Sequence, residues 1–208
     1  MNAAVESPLA VFGAGGFLLQ ILSTLDAMRS RGQDVVVVDD RPLSPIFGYP
    51  VIPLGEAPSN AAFAVAVADG RTRERIVGRL GERRFTQIIA SSSTVSQHAV
   101  IGEGSILCDH TIVEAGSRIG RHFQGNIYSY VAHECVIGDF VTFAPRVSCN
   151  GNVHIDDYAY VGTGAIIRNG TPDKALRIGK GAVIGMGAVV TASVPENAVV
   201  TGNPARVR

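Results

Sequence analysis

The sequence predicts a mixed fold in which a small α/β domain over residues 1–92 precedes a parallel β-helix over residues 93–208. From Pro8 to Ile89, short β-branched runs alternate with segments of helical periodicity, which indicates a parallel sheet covered by helices. From Thr94 onward, apolar residues recur every six positions, which fits neither an α-helix nor a half-buried strand. The 24 glycines and the absence of tryptophan suit a chain with many tight turns.

The elements of the first region follow from its apolar pattern. The run PLAVF predicts a strand that ends at Gly13, and the helical spacing of residues 18–25 predicts a helix that stops near Gly32. The uninterrupted run DVVVVDD is typical of a strand buried on both faces. The next segments predict a strand in AAFAVAVAD, a helix in TRERIVGRLGERR and a further strand in FTQIIA.

The second region has the hexapeptide pattern of a parallel β-helix. Each hexapeptide forms one short side of a triangular coil, its apolar residue points inward, and about 18 residues complete one coil, so the run supplies about five coils. Gly125 is the clear exception among the inward positions and suggests a local distortion of the coil. Steps of six from Ile101 reach Leu107, Val113, Ile119, Gly125, Val131, Ile137, Phe143, Cys149, Ile155, Val161 and Ile167.

The period is interrupted once before it resumes at Ile184 and Val190. Ile167 and Ile178 are eleven residues apart, five more than one step, and the segment between them contains the turn residues Gly170 and Pro172. This pattern predicts a loop over residues 169–176 that leaves the coil at a corner. A harmless insertion and a functional loop fit the sequence equally well.

Composition excludes several classes of function. Lys+Arg and Asp+Glu are balanced at 18 each, so neither nucleic acid nor a membrane surface is an expected partner. The amino-terminal residues lack a basic segment before an apolar run, so a secretory signal is not expected. Cys108, Cys135 and Cys149 form no CxxC pair, and free thiols in a cytoplasmic protein are the simplest interpretation.

Four stretches together span nearly the whole chain: VFGAGGF, VVVVDD, VAHECVIGDF and the terminal GAVIGMGAVVTASVPENAVVTGNPAR. They resemble a family of bacterial sugar O- and N-acetyltransferases. The family includes sialic-acid O-acetyltransferases and the nucleotide-amino-sugar N-acetyltransferases of the bacillosamine and perosamine pathways. The resemblance implies a Rossmann-like first domain that binds a nucleotide sugar, a β-helix of left-handed sense, and acetyl-CoA as cosubstrate without a metal.

The resemblance also implies catalytic residues. The histidine of the HEC-type motif, His133 here, corresponds to the general base, and Glu134 to the acid that raises its basicity. Gly151 corresponds to the backbone donor for the developing oxyanion, and Asn126 to a polar residue facing the site. We expect direct attack of the acceptor on the thioester, because an inward thiol such as Cys149 is usually inert. The remaining histidines are expected at surface or turn positions: His98, His110, His122 and His154.

The cofactor and substrate positions follow from the same resemblance. Acetyl-CoA would lie along the coils between neighbouring subunits of a homotrimer, because one β-helix offers only one wall. Its expected contacts are Thr142, Thr163 and Met186, with Lys180 and Arg206 as candidates for the phosphates. In the first domain, the nucleotide sugar is expected at Gly15, Gly16, Phe17, Asp39 and Asp40.

The chain departs from the family at two positions, and three functions other than the favoured one are considered. The family usually has histidine where this chain has Phe17 and Ala90, which leaves the acceptor undefined. The favoured function is N-acetylation of a nucleotide-linked amino sugar. The alternatives are O-acetylation of a sugar such as a sialic acid, a non-catalytic nucleotide-binding scaffold, and a zinc enzyme of the carbonic-anhydrase type. The zinc enzyme is disfavoured because His98, His110 and His122 fall on different faces of the coil.

Overall fold

The computed structural model describes residues 7–41 and 44–208. Residues 1–6, which belong to the segment inspected for a secretory signal, lie outside the described residues. The first region forms a four-stranded parallel sheet with two helices and a short 3-10 helix at Leu54–Glu56. Its elements are β1 (Leu9–Phe12), α1 (Gly16–Ser30), β2 (Val35–Val38), β3 (Val51–Ile52), β4 (Ala62–Val65) and α2 (Gly70–Leu80), with strand order β3-β2-β1-β4.

The predicted double burial of this sheet is confirmed by its two hydrophobic clusters. Alternate residues of β1 point to opposite faces, so Leu9 and Val11 pack with α1, while Ala10 and Phe12 join the cluster that contains residues of α2. The β-branched run of β2 is buried between them, which is the environment that such runs favour. We refer to this region as the amino-terminal unit.

The second region is a parallel β-helix with three faces. Face 1 contains β5 (Ile88–Ile89), β8 (Ile106–Leu107), β11 (Gln124–Gly125), β14 (Thr142–Phe143), β17 (Tyr160–Val161), β20 (Val183–Ile184), β22 (Val199–Thr201) and β23 (Arg206–Val207). Face 2 contains β6 (Thr94–Val95), β9 (Ile112–Val113), β12 (Tyr130–Val131), β15 (Ser148–Cys149), β18 (Ile166–Ile167) and β21 (Val189–Val190). Face 3 contains β7 (Val100–Ile101), β10 (Arg118–Ile119), β13 (Val136–Ile137), β16 (Val153–Ile155) and β19 (Leu176–Ile178).

The strand register confirms the six-residue period. From β5 to β18, each strand pairs with the strand three elements later on the same face, so Val131 pairs with Val113 and Cys149, each 18 residues away. The coils start earlier than expected, at β5, and five complete coils run from β5 to β19, the number predicted, with further rungs through β22. Face 1 ends differently, because β23 reverses direction and pairs antiparallel with β22.

Two details of the predicted β-helix need correction. The strand in FTQIIA forms at Ile88–Ile89, but it pairs with β8 of face 1. Its contact with the amino-terminal sheet is a single bridge of Phe85 with Phe63, in which Thr86 N donates to the Phe63 carbonyl at 2.9 Å, together with the packing of Ile88 against that sheet. Gly125 causes no distortion, since β11 pairs in register with both neighbouring strands. The Phe123 ring fills this position, and a Cβ added to Gly125 would lie 2.9 Å from its Cε1 atom.

The loop over residues 169–176 leaves the coil at a corner, as predicted. Thr171 and Lys174 donate backbone hydrogen bonds to each other at 3.0 Å, and the chain then returns to face 3 in β19. We call the turns that lead from face 1 to face 2 corner 1–2, those from face 2 to face 3 corner 2–3, and those from face 3 back to face 1 corner 3–1. Neither helix in the described part of the chain has the length and apolarity that crossing a bilayer requires.

Candidate active site

An open cavity of about 530 Å³ lies on face 2 beside corner 2–3. The corner residues of successive coils stack here, because residues 18 apart occupy equivalent places: His133, Gly151 and Asn169 form one column, and Glu114, Ala132 and Asn150 form the next. The spacing of 18 was therefore a signal that could have identified Asn150 and Asn169. The cavity is lined by Ile112, Glu114, Tyr130, Ala132, His133, Asn150, Gly151, Asn152 and Asn169.

His133 and Gly151 are brought together as expected. The His133 ring covers the Gly151 backbone so closely that an added Cβ would lie 2.5 Å from Cε1 and 2.6 Å from Nε2. Any larger residue at position 151 would displace the ring from this position. The Glu134 Oε2 atom lies 3.2 Å from Nδ1 of His133, and both side chains are more than half exposed. The contact with Glu134 thus orients the imidazole through Nδ1, and the Nε2 atom lies over Gly151 on the side of the cavity.

Asn150, which precedes this glycine, is held by three neighbours. Its Oδ1 accepts a hydrogen bond from the Tyr130 hydroxyl at 2.8 Å, and its Nδ2 donates to the Ile167 carbonyl at 2.8 Å. Its backbone carbonyl accepts from the Cys135 thiol at 3.2 Å. That carbonyl belongs to the same peptide group as the Gly151 N–H, so these contacts fix the direction of that N–H.

The cysteines are buried and unpaired, as the sequence predicts: Cys108, Cys135 and Cys149 are free thiols. Burial raises the pKa of Cys108 to about 12. A hydrogen bond with Cys135, together with burial, raises the pKa of Cys149 well above its ordinary value. The inward position of Cys149 therefore gives no nucleophile.

Asn126 does not reach His133 within one chain. It lies on corner 1–2, where its Nδ2 donates to Oε1 of Gln20 in α1 at 2.8 Å. Thr163 and Met186 lie on the same corner, and both are exposed, Met186 to 80%. The predicted site residues of the β-helix therefore fall into two groups, one on each corner that borders face 2.

The other expected cofactor contacts lie elsewhere. Thr142 is buried on face 1, where its hydroxyl donates to the Ala68 carbonyl at 2.7 Å, which corrects the expectation of an accessible cofactor contact. Lys180 lies on corner 3–1, where its Nζ atom is 3.5 Å from Oδ2 of Asp157. Arg206 is exposed in β23 and donates to the adjacent Ala205 carbonyl.

In the amino-terminal unit, Gly15 and Gly16 are exposed at the start of α1, with open space where a side chain would be. Gly13 is the more restricted position, because its φ is +110° and an added Cβ would lie 2.9 Å from the Ala66 carbonyl oxygen. Phe17 differs from the expectation, because its ring is only 7% exposed and packs in the sheet core. Ala90 is likewise buried.

The two acids after β2 have different environments. Asp39 is buried and accepts hydrogen bonds from Ala14 N at 2.9 Å and from Arg41 Nε at 2.9 Å, so it stabilises the glycine-rich turn. The Arg41 side chain is the main cause that lowers the pKa of Asp39 to about 2, against the opposing effect of burial. Asp40 is exposed and receives two hydrogen bonds from Arg79, which lower its pKa.

Arg73, a fully buried arginine of α2, was not predicted as a functional or structural residue. Its Nε donates to the His122 carbonyl at 2.8 Å, its Nη1 to Val67 at 2.6 Å, and its Nη2 to Phe140 at 2.8 Å and to Thr142 Oγ1 at 3.1 Å. Burial lowers the pKa of Arg73 to about 9, so the guanidinium remains charged at neutral pH. This side chain joins the amino-terminal unit to the β-helix.

His122 lies in a turn on corner 3–1, as expected, but it is only 1% exposed and is therefore a buried turn residue. Its ring stacks on Phe140 with centroids 5.0 Å apart and meets Phe85 edge-on at 4.8 Å. Within residues 7–41 and 44–208, no three histidine, cysteine or acidic side chains are grouped as metal ligands would be.

Comparison with known proteins extends these observations. Residues 8–80 match the PglD N-terminal domain family. The chain is 42% identical over 208 residues to GDP-perosamine N-acetyltransferase from Escherichia coli O157:H7, an alignment that covers 94% of each protein. The structure of WeeI from Acinetobacter baumannii AYE is similar at a TM-score of 0.92 and 42% identity, covering 97% of this chain and 100% of that one.

A third similarity is to a solved structure that contains bound ligands. PerB from Caulobacter crescentus, solved in complex with CoA and GDP-perosamine, matches at a TM-score of 0.85 and 25% identity, covering 98% of each chain. The stacked parallel coils and these similarities define an acyltransferase. More particularly, the chain belongs to the sugar N-acetyltransferase family, as the resemblance of its four motifs predicted.

Proposed function

We propose that this protein transfers the acetyl group of acetyl-CoA to the amino group of a nucleotide-linked amino sugar. The similarity to GDP-perosamine N-acetyltransferase and to PerB bound to CoA and GDP-perosamine supports this reaction and favours a GDP-linked acceptor. The observation that carries the proposal is the His133 ring, held by Glu134 on one nitrogen and lying over Gly151 at the edge of an open cavity.

His133 acts as the general base. A carboxylate at Nδ1 favours the tautomer that carries its proton there, which leaves the Nε2 lone pair free to accept a proton. The acceptor amine attacks the thioester carbonyl carbon, and its proton passes to Nε2. The C–S bond then breaks, the amide forms, and the imidazolium returns the proton to the CoA thiolate. No acyl-enzyme is needed.

Gly151 supplies the oxyanion donor. Its N–H has no acceptor among the described residues, whereas Asn150, which shares its peptide group, is held by Tyr130, Ile167 and Cys135. A donor fixed in this way stabilises charge on the thioester oxygen in the transition state without reorganisation.

The proposal also assigns a role to each of the two domains and a handedness to the β-helix. Residues 1–92 form a Rossmann-like nucleotide-sugar-binding domain, apart from Ile88–Ile89 in face 1, and residues 93–208 form an acyltransferase domain of left-handed sense. The glycine-rich turn after β1 and Asp40 after β2 lie at the carboxyl edge of a parallel sheet, where such folds bind nucleotides. The three free thiols favour a cytoplasmic location.

We also propose a homotrimer in which corner 1–2 of one copy faces corner 2–3 of the next. This arrangement would bring Asn126, Thr163 and Met186 of one copy to the His133 cavity of its neighbour. The exposed Ile112 and Ile166 side chains of face 2, at 40% and 43%, support contact between copies on this face. Light scattering should give three times the chain mass, and a monomer under assay conditions would contradict the arrangement.

The reaction is tested by incubating the protein with acetyl-CoA and GDP-, UDP- or dTDP-linked amino sugars while free thiol release is measured. We expect turnover with at least one of them, and His133→Asn should lower kcat by roughly 10²- to 10⁴-fold, the range of general-base catalysis. His98→Asn is the matched control, because His98 is exposed on the same corner but two coils away. Undiminished turnover in His133→Asn would remove the catalytic assignment and favour a non-catalytic role for this residue.

A further inference from the structure

The His133 cavity contains a carboxylate that has no part in the proposed acetyl transfer. Glu114 lies in the same column of corner 2–3 as Ala132 and Asn150, on the side of the amino-terminal coils. It is the only acid among the described residues that line the cavity. Its side chain is exposed and makes no ion pair or hydrogen bond within residues 7–41 and 44–208. The carboxylate is therefore available to a ligand in this cavity.

A gap in this column lies between Glu114 and Asn150. Ala132, on the rung between them, has only a methyl group, and the two rungs are separated by two strand spacings, roughly 10 Å. His133 follows Ala132 on the middle rung, and Gly151 follows Asn150 on the next. A small group held over Ala132 would lie next to the His133 ring, with the Glu114 carboxylate on one side. Its other side would face a thioester carbonyl bound at Gly151.

An attacking amine has one more hydrogen than the reaction removes. A neutral primary amine carries two hydrogens and a lone pair, whereas a hydroxyl carries one hydrogen. The amine lone pair forms the bond to the thioester carbon, one hydrogen passes to Nε2 of His133, and the second hydrogen can donate to the Glu114 carboxylate. That second hydrogen stays on nitrogen and becomes the N–H of the product amide. A hydroxyl has no second hydrogen, so a lone pair of its oxygen would face the carboxylate.

We propose that Glu114 binds the amino group of the acceptor and thereby selects amines over hydroxyls. This inference rests on the proposed function for the reaction, and it names the residue through which the same site distinguishes N- from O-acetylation. Hydrogen bonds to an ionised acceptor are roughly twice as strong as those between neutral groups. A site built to bind a donor rejects a ligand that lacks it, because the acceptor is then left unpaired.

The test compares GDP-perosamine with the analogue in which a hydroxyl replaces its amino group. Glu114→Leu removes the acceptor at similar bulk, so kcat/KM for GDP-perosamine should fall roughly 10- to 100-fold, the range of a hydrogen bond to a charged group. The same constant for the hydroxyl analogue should not fall, and the KM for acetyl-CoA should stay unchanged. Glu114→Gln keeps a carbonyl oxygen as acceptor and should recover part of the loss. Glu103→Leu is the matched control, because Glu103 is exposed on corner 3–1, away from this cavity.

The outcomes separate this inference from the proposed function. An equal fall with both acceptors, or an unchanged kcat/KM for GDP-perosamine, overturns the selection by Glu114 and leaves the acetyl transfer intact. If the parent protein acetylates no sugar, the proposed reaction fails, and calorimetry with the two GDP-sugars in the presence of CoA tests Glu114 by itself. Weaker binding of GDP-perosamine alone by Glu114→Leu supports the contact, and an equal loss or no loss overturns it. Circular dichroism checks that the variants are folded.

Discussion

Two histidines of the same coil repeat have opposite environments. His133 on corner 2–3 is more than half exposed and has one carboxylate partner, whereas His122 on corner 3–1 is buried between Phe140 and Phe85. The repeat places both residues at corners. The difference arises because Arg73 and its helix α2 cover corner 3–1, while the amino-terminal unit leaves corner 2–3 open. The layer outside the coil therefore decides which histidine is available for chemistry.

The electrostatics of the buried corner reinforce this difference. Burial is the main cause that lowers the pKa of His122 to about 4, and the nearby charges of Arg73 and Arg121 lower it further against a small opposing effect of Asp139. The Nδ1 atom of His122 has no hydrogen-bond partner among the described residues. His122 is therefore neutral at physiological pH and serves packing.

The largest expected effect comes from removing the contacts by which Arg73 covers corner 3–1. Arg73→Met would leave the carbonyl groups of His122, Val67 and Phe140 without their donor, and we expect the free energy of unfolding to fall by about 3 kcal/mol. Urea denaturation measures this change. Arg75→Met is the control, because Arg75 lies in the same helix and, within residues 7–41 and 44–208, its side chain donates a hydrogen bond only to the Thr72 hydroxyl, at the surface. Equal stability of the two variants would show that Arg73 does not join the two units.

A second variant tests how the oxyanion donor on corner 2–3 is held in place. Tyr130→Phe removes the hydroxyl that holds Asn150, so the oxyanion donor at Gly151 is less well fixed, and we expect kcat to fall about tenfold with little change in KM. Tyr160→Phe is matched, since each tyrosine is the first residue of a two-residue strand and Tyr160 has no hydrogen-bond partner for its hydroxyl in the described region. A rise in KM alone would mean that Tyr130 binds substrate instead.

A third variant tests the stability of corner 3–1 in acid. The pKa of His122 is about 4 in the folded protein and about 6.5 when unfolded, so the unfolded state binds more protons between these values. Stability should fall as pH decreases from 6.5 to 4, by at most about 1.4 kcal/mol per pH unit from this group. His122→Phe should flatten this dependence while keeping the stack on Phe140, and His98→Asn should not. Parallel pH profiles for His122→Phe and the parent would show that another group controls acid stability.

The local rules of the repeat were sufficient to predict most of the β-helix. The inward position of Cys149, the loop after Ile167 and the meeting of His133 with Gly151 all follow from residues close in sequence or one coil apart. Gly125 was misinterpreted, because the Phe123 ring that fills its place is not at an inward position of the six-residue period.

Contacts between the two units were beyond prediction from the period. Thr142, Asn126 and Phe17 were expected to contact ligands, but within the chain they contact Ala68, Gln20 and the sheet core, respectively. These partners are distant in sequence, and no local periodicity brings them together. Arg73 was missed for the same reason, since a single arginine in a polar helix gives no sign that its side chain is buried.

The reversed strand β23 has a consequence for the protein at high concentration. A stack of parallel rungs ends in an unpaired edge that can template another chain, and such an edge favours end-to-end fibres. Here Arg206–Val207 turns back over the last rung of face 1 and leaves a two-residue edge beside cationic Arg206 and Arg208. Like charges and a short edge therefore oppose the end-to-end joining of two copies through face 1.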